Sequence, residues 1–180
     1  MNNYIVKTIF TKKECDEILR MKTKSVGRIT MGSEFESSWI NGNQTNYNDT
    51  VIEADSWVYD RLMENMDMGS FATCDGMWAL ILKEYNIGDE VGIHFDNVRG
   101  VKRISCFVNL NDDYEGGDTK FLDWNFDINT GKDNAEFITI KPEIGQMIQC
   151  PIIIPHGVTK ITKGVRKQLV TWFTGEYLNW

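Results

Sequence analysis

The sequence predicts a mainly β domain of α+β type, a β-sandwich or jelly roll supported on one side by N-terminal helices. Two observations carry this. Before residue 77, two stretches repeat apolar residues at helical spacing. After it, short runs rich in Val, Ile, Phe and Trp alternate with turns of Asn, Asp and Gly. The chain of 180 residues suits a single domain, 1–180, and is long enough to bury a core. Helical support is expected over about 1–76 and the jelly-roll core over about 77–175.

Residues 4–10, YIVKTIF, read as a short strand. Thr11 then caps a helix, because Glu14 stands three residues on and Cys15, Ile18 and Leu19 follow at helical spacing. Residues 28–50 change character: Ser, Gly, Asn and Thr dominate, with Phe35, Trp39 and Tyr47 among them. This segment reads either as a loop acting as a substrate lid or as a surface hairpin whose aromatics fold back onto the core. Residues 51–68 read as a second helix, with Ile52, Trp57, Leu62 and Met66 on one stripe. Strands follow at MWALILKEY, GIHF, RISCFVNL, TKFLDWNF, AEFITI, QMIQCPIII, HGVTKI and RKQLVTWF, with NDDYEGGD as a turn.

Composition narrows the function classes. The net charge is -7 with a pI near 4.9, and no basic block stands out, so a nucleic-acid partner is not expected. The N-terminal MNNYIVKTIF lacks the apolar core of a signal peptide and no run approaches membrane-spanning length, so a cytoplasmic protein without membrane attachment is expected. The four cysteines are scattered, which fits buried free thiols in a reducing compartment.

The chemistry centres on His94-Phe95-Asp96 in YNIGDEVGIHFD. A strand sends residues i and i+2 to one face, so His94 and Asp96 would point the same way. An imidazole and a carboxylate side by side are two of the three ligands of a facial triad for non-haem Fe(II). By itself a His-x-Asp pair more often marks a structural ion pair than a metal site. The second of the chain's two histidines, His156, lies in the β-rich run PIIIPHGVTK and is placed to give the third ligand from a facing strand. Arg166 follows ten residues later among Val165, Leu169, Val170, Trp172 and Phe173. Such surroundings suit an arginine directed at an anion inside the barrel, while its position alone suits a surface charge at a strand end.

The ordered set goes further than its parts. YNIGDEVGIHFD, KRISCFVNLNDDYEGGDTKF, IKPEIGQMIQCP and PHGVTKITKGVRKQLVTWF together resemble the Fe(II)- and 2-oxoglutarate-dependent dioxygenases, in particular their prolyl 4-hydroxylase-like branch. The resemblance covers roughly residues 77–175. It implies a double-stranded β-helix, a cupin-like jelly-roll barrel open at one end. His94, Asp96 and His156 would hold Fe(II), and Arg166 would pair with the distal carboxylate of the cosubstrate 2-oxoglutarate. Tyr85 and Thr119 would place hydroxyls beside the cosubstrate. The implied reaction uses O2 to convert 2-oxoglutarate to succinate and CO2 while hydroxylating a substrate. Ascorbate, which serves many such enzymes, is an accessory the resemblance leaves open. A carboxylate at Asp96 argues for hydroxylation, since halogenating relatives lack it.

Three positions depart from the pattern. Val91 and Asn109 stand where relatives often carry tyrosine, and Arg166 replaces the lysine of collagen-type enzymes. These departures bear on the substrate. The expected substrate is a prolyl residue of a peptide or protein. Alternatives are a free amino acid or other small molecule, or, in another class, a cupin-like module that binds metal or ligand without turnover.

Overall fold

In the computed structural model, residues 4–31, 45–67, 76–77, 80–96, 102–127 and 132–175 are described. In chain order they form β1 (Ile5–Thr8), α1 (Lys12–Ile18), β2 (Thr23–Met31), β3 (Thr45–Ile52), α2 (Ser56–Asn65), β4 (Gly76–Met77), β5 (Ile81–Tyr85), β6 (Val91–His94), β7 (Lys102–Asn109), β8 (Tyr114–Gly116), β9 (Thr119–Asp127), β10 (Lys132–Ile140), β11 (Gln146–Pro151), β12 (His156–Val158), β13 (Ile161–Gly164) and β14 (Arg166–Thr174). All strand pairs are antiparallel. The larger sheet runs β1-β11-β7-β14-β5-β3-β2, with β4 on β14; the smaller runs β10-β9-β12-β6; β13 and β8 form a separate ribbon.

Strand alternation assigns the two faces of the larger sheet. Leu82, Ile104, Cys106, Val108, Met147, Leu169 and Phe173 pack with Cys15 and Ile18 of α1 and Val58 and Leu62 of α2. The alternate residues Phe107, Ile148, Cys150, Val170 and Trp172 pack with Phe121 of the smaller sheet. One face therefore carries the helices and the other closes against the second sheet, giving the double-stranded β-helix expected from sequence.

The Thr11 cap is present as a complete box: the Glu14 amide donates to the Thr11 hydroxyl, and the Thr11 amide donates to the Glu14 carboxylate at 2.7 Å. Arg61 of α2 donates to the Ile9 carbonyl at 2.7 Å and meets Glu14 at 3.2 Å, which locks the two helices together. Cys15, Cys106 and Cys150 are free and buried, as expected.

Several local expectations are corrected. The N-terminal part is not helical support alone, since β1, β2 and β3 join the larger sheet. Of residues 28–50, the described ends form the β2–β3 pair, with Ile29 opposite Tyr47; residues 32–44, on which the proposed lid and Trp39 fall, lie outside the described residues. Ile52 ends β3 instead of starting a helix, and α2 begins after Asp55, whose extended backbone (φ -65, ψ 153) separates the two. The run NDDYEGGD contains the short strand β8, and HGVTKI divides into β12 and β13. No helix among the described residues is long and apolar enough to cross a membrane.

Candidate metal centre

β6 and β12 are neighbours in the smaller sheet, and their register sets His94 opposite His156. The imidazole centroids lie 4.6 Å apart. Gly157 permits this approach: a Cβ there would stand 2.6 Å from the Val91 carbonyl oxygen of β6. β6 ends at His94, so Asp96 lies just beyond the strand and not within it. Its carboxylate still turns to the histidines. Oδ1 is 3.4 Å from His94 Nε2 and Oδ2 is 3.3 Å from His156 Nε2.

The ring nitrogens away from Asp96 explain why this set can receive a cation. His94 Nδ1 lies 2.9 Å from the Gly92 carbonyl oxygen, and His156 Nδ1 lies 2.8 Å from that of Ile154. A carbonyl only accepts, so Nδ1 carries a proton in both rings and Nε2 is the nitrogen turned inward, available to ligate once deprotonated. Asp96 is fixed from behind: Ser105 Oγ donates to Oδ2 at 2.6 Å and Trp172 Nε1 donates at 2.8 Å. The ligand atoms of the three residues lie within 4.8 Å of one another. Two imidazoles and one carboxylate, gathered on one side, fit the donor set of a facial Fe(II) site. Neither Ser105 nor Trp172 stood out in the sequence, because both reach Asp96 through β7–β14 pairing.

Charge in the group is shared. Burial raises the Asp96 pKa, but His156 and His94 lower it further, and the carboxyl ends well below its ordinary range. Burial lowers the His156 pKa, yet the Asp96 carboxylate outweighs it and raises the net value. His156 is enclosed between Phe107 and Phe121, at ring separations of 5.0 and 6.1 Å. His94 is the more open ligand, with 32% of its side chain exposed.

Arg166 begins β14 and is 0% exposed, so the surface-charge alternative is excluded. Its guanidinium lies 5.7 Å from the Tyr85 ring and 5.9 Å from the Tyr114 ring. Nη2 donates to Thr119 Oγ1 at 3.2 Å and Nε donates to Asn109 Oδ1 at 3.4 Å. Nη1 is buried with no hydrogen-bond partner among the described residues. No carboxylate faces this cation in the ion pairs of the described residues. A buried guanidinium with an unpartnered donor is suited to receive an anion.

The expected cosubstrate residues are thus brought together around Arg166. Thr119 touches it directly. Tyr85 stacks beside it and spends its hydroxyl on Gln168 Oε1 at 3.2 Å. The sequence reading missed Tyr114, whose hydroxyl donates to Asn109 Oδ1 at 3.1 Å. This side chain, from β8, supplies a phenol beside Asn109 and Arg166. Gly117 (φ +67) makes room for the arrangement, since a Cβ there would collide with Ile161 and crowd Arg166 Cδ at 3.2 Å.

Residues 80–174 match the model of the 2OG-Fe(II) oxygenase superfamily. A search of curated sequences gives no significant match. Among solved structures, a prolyl hydroxylase from Trichoplax adhaerens, in complex with a hypoxia inducible factor oxygen degradation domain peptide fragment, is similar at TM-score 0.68 and 13% identity, over 97% of this chain and 84% of that one. The viral collagen prolyl hydroxylase of Paramecium Bursaria Chlorella virus-1, in its 2OG complex, is similar at TM-score 0.64 and 14% identity, over 96% of both chains. A prolyl-4-hydroxylase of Pseudomonas putida is similar at TM-score 0.61 and 14% identity, over 98% and 94%.

Proposed function

This chain belongs to the 2OG-Fe(II) oxygenase superfamily, and from that premise we propose that it is an Fe(II)- and 2-oxoglutarate-dependent hydroxylase of prolyl 4-hydroxylase type. The observation that carries the proposal is the pairing of two incomplete sites in one barrel: a 2-His-1-carboxylate set and a buried guanidinium with an idle Nη1. A module that merely held a metal would have no use for the second.

On this reading His94, Asp96 and His156 would hold Fe(II), and Arg166 would take the distal carboxylate of 2-oxoglutarate, with Thr119 and Tyr85 beside it. Bound iron supplies the activation of O2 that couples conversion of 2-oxoglutarate to succinate and CO2 with insertion of one oxygen atom into a substrate C–H bond. The protein's own part is positional. Ser105 and Trp172 keep the Asp96 carboxylate turned to the metal position. The Gly92 and Ile154 carbonyls keep both imidazoles in the ligating tautomer. Phe107 and Phe121 exclude water around the buried histidine.

The substrate proposed is a proline in a peptide or protein. It is supported by the likeness in fold to prolyl hydroxylases, one of them holding a peptide. The check is a screen of prolyl peptides and free amino acids with Fe(II), 2-oxoglutarate and O2, reading succinate and a mass gain of one oxygen. Stoichiometric gain on a prolyl peptide is expected. Gain only on a free amino acid would move the assignment to a small-molecule hydroxylase.

A further inference from the structure

The barrel interior carries a second buried cation that the proposed reaction does not use. On β5, Tyr85 faces Arg166 and Ile81 packs against the cluster holding Phe121 and Trp172, whereas Leu82 joins the helix-side core. Alternation therefore places Lys83 on the barrel-facing side, between Ile81 and Tyr85. Its row across the sheet reads Asp49, Lys83, Gln168, Asn109. Asn109 and Gln168 are the residues that hold Tyr114 and Tyr85 around Arg166.

Lys83 Nζ lies 3.3 Å from Asp49 Oδ1, with only 11% and 13% of the two side chains exposed. Asp49 Oδ1 is buried without a hydrogen bond among the described residues, despite that contact. Burial raises the Asp49 pKa, and the attraction of Lys83 does not cancel it. β3, which carries Asp49, passes close to β6, which carries His94. The pair therefore sits on the flank of the barrel, in the row beside the one that carries Tyr85 and Arg166.

Fold stability gives little reason for it. A buried ion pair replaced by apolar side chains of similar volume is often neutral or more stable. The rows on either side already show what suits this wall: Ile81 and Val170 in one, Tyr85 beside Arg166 in the other. A nearly dry lysine paired with a carboxylate that is itself buried is instead suited to exchange that carboxylate for another.

We propose that Lys83 is a second carboxylate-binding residue of the barrel, which Asp49 occupies until a reactant's carboxylate displaces it. This rests on the hydroxylase reading above. The carboxylate has two sources: the primary substrate, as a free acid or an acidic side chain beside the hydroxylated residue, or the metal-proximal end of 2-oxoglutarate. If it belongs to the substrate, Lys83 selects acidic over neutral or amidated substrates.

The test is calorimetry on Mn(II)-loaded protein, comparing wild type, Lys83→Met and Asp49→Asn. One arm titrates 2-oxoglutarate. The other titrates L-proline against L-prolinamide, and an acidic prolyl peptide against its neutral counterpart, with 2-oxoglutarate present. In one arm, Lys83→Met is expected to weaken binding of the acid by about tenfold or more, the loss of one charge-assisted hydrogen bond. Asp49→Asn is expected to strengthen it, since the competing carboxylate is gone. The arm that moves identifies the source. Opposite signs are a signature that a purely structural pair would not give. Two variants that shift together with their melting temperatures overturn the proposal. So does a wild type that prefers no acid to its amide, with 2-oxoglutarate affinity unmoved in both variants. Failure of the wild type to bind 2-oxoglutarate at all would instead overturn the hydroxylase reading beneath it.

Discussion

Asp96→Ala is expected to lower Fe(II) affinity by more than about a hundredfold, beyond the range seen when groups supporting a ligand are lost. The carboxylate is the sole member of the triad that can offer a negative charge, and its removal leaves two imidazoles as ligands. Ser105→Ala is the matched control. It removes one of two donors to Oδ2 and leaves Trp172, so a loss of about tenfold is expected. Anaerobic calorimetry measures both. The same titration run against pH has a defined sign. In the metal-free protein Asp96 raises the pKa of His156, and a ligating imidazole must be deprotonated. Affinity therefore falls as pH drops through that raised pKa, with protons released on binding. Equal affinities in wild type and Asp96→Ala would remove the triad from the account.

Arg166→Met is expected to weaken 2-oxoglutarate binding by about thirtyfold or more, that is by 2 kcal/mol or more, as for truncation of one partner in a buried charge pair. The effect on the free protein should be of a different kind. Arg166 is buried with an idle donor and, among the described residues, no carboxylate opposite, so it carries a desolvation cost that an apolar side chain of similar length does not. The variant is thus expected to melt no lower than wild type without the cosubstrate, and to lose the thermal shift that 2-oxoglutarate gives wild type. Arg166→Lys keeps the charge but not the fork, and intermediate affinity is expected. A variant that binds 2-oxoglutarate normally would show that the anion goes elsewhere.

What the sequence revealed depended on how local each feature is. His94 and Asp96 are two residues apart, and His156 is the one other histidine, so the triad needed little beyond strand alternation. Most strand runs from residue 81 onward were legible because apolar side chains fill both faces of a covered sheet, whereas the expected single strand MWALILKEY contributes the end of β4 and, separately, β5. The β2–β3 pair was not legible, because Thr, Ser, Asn and Gly give it no apolar alternation, and Ile52 at its end mimicked the first turn of a helix. Arg166 shows the limit most clearly. Its neighbour Lys167 is partly exposed, and only the register with Tyr85 places one charge inside and the other out. Tyr114, Ser105 and Trp172 act through register or through space, as do Asp49 and Lys83. Cross-strand register is set by all the turns together, and no single stretch of sequence contains it.

The most direct measurement is the visible absorption spectrum of the protein mixed anaerobically with Fe(II) and 2-oxoglutarate. Chelation of triad-held iron by the keto acid should give a charge-transfer band that is absent with Fe(II) alone, lost in His94→Ala and weakened in Arg166→Met. A wild type that binds Fe(II) and 2-oxoglutarate, each shown by calorimetry, yet develops no such band would contradict a shared iron and cosubstrate site in this barrel.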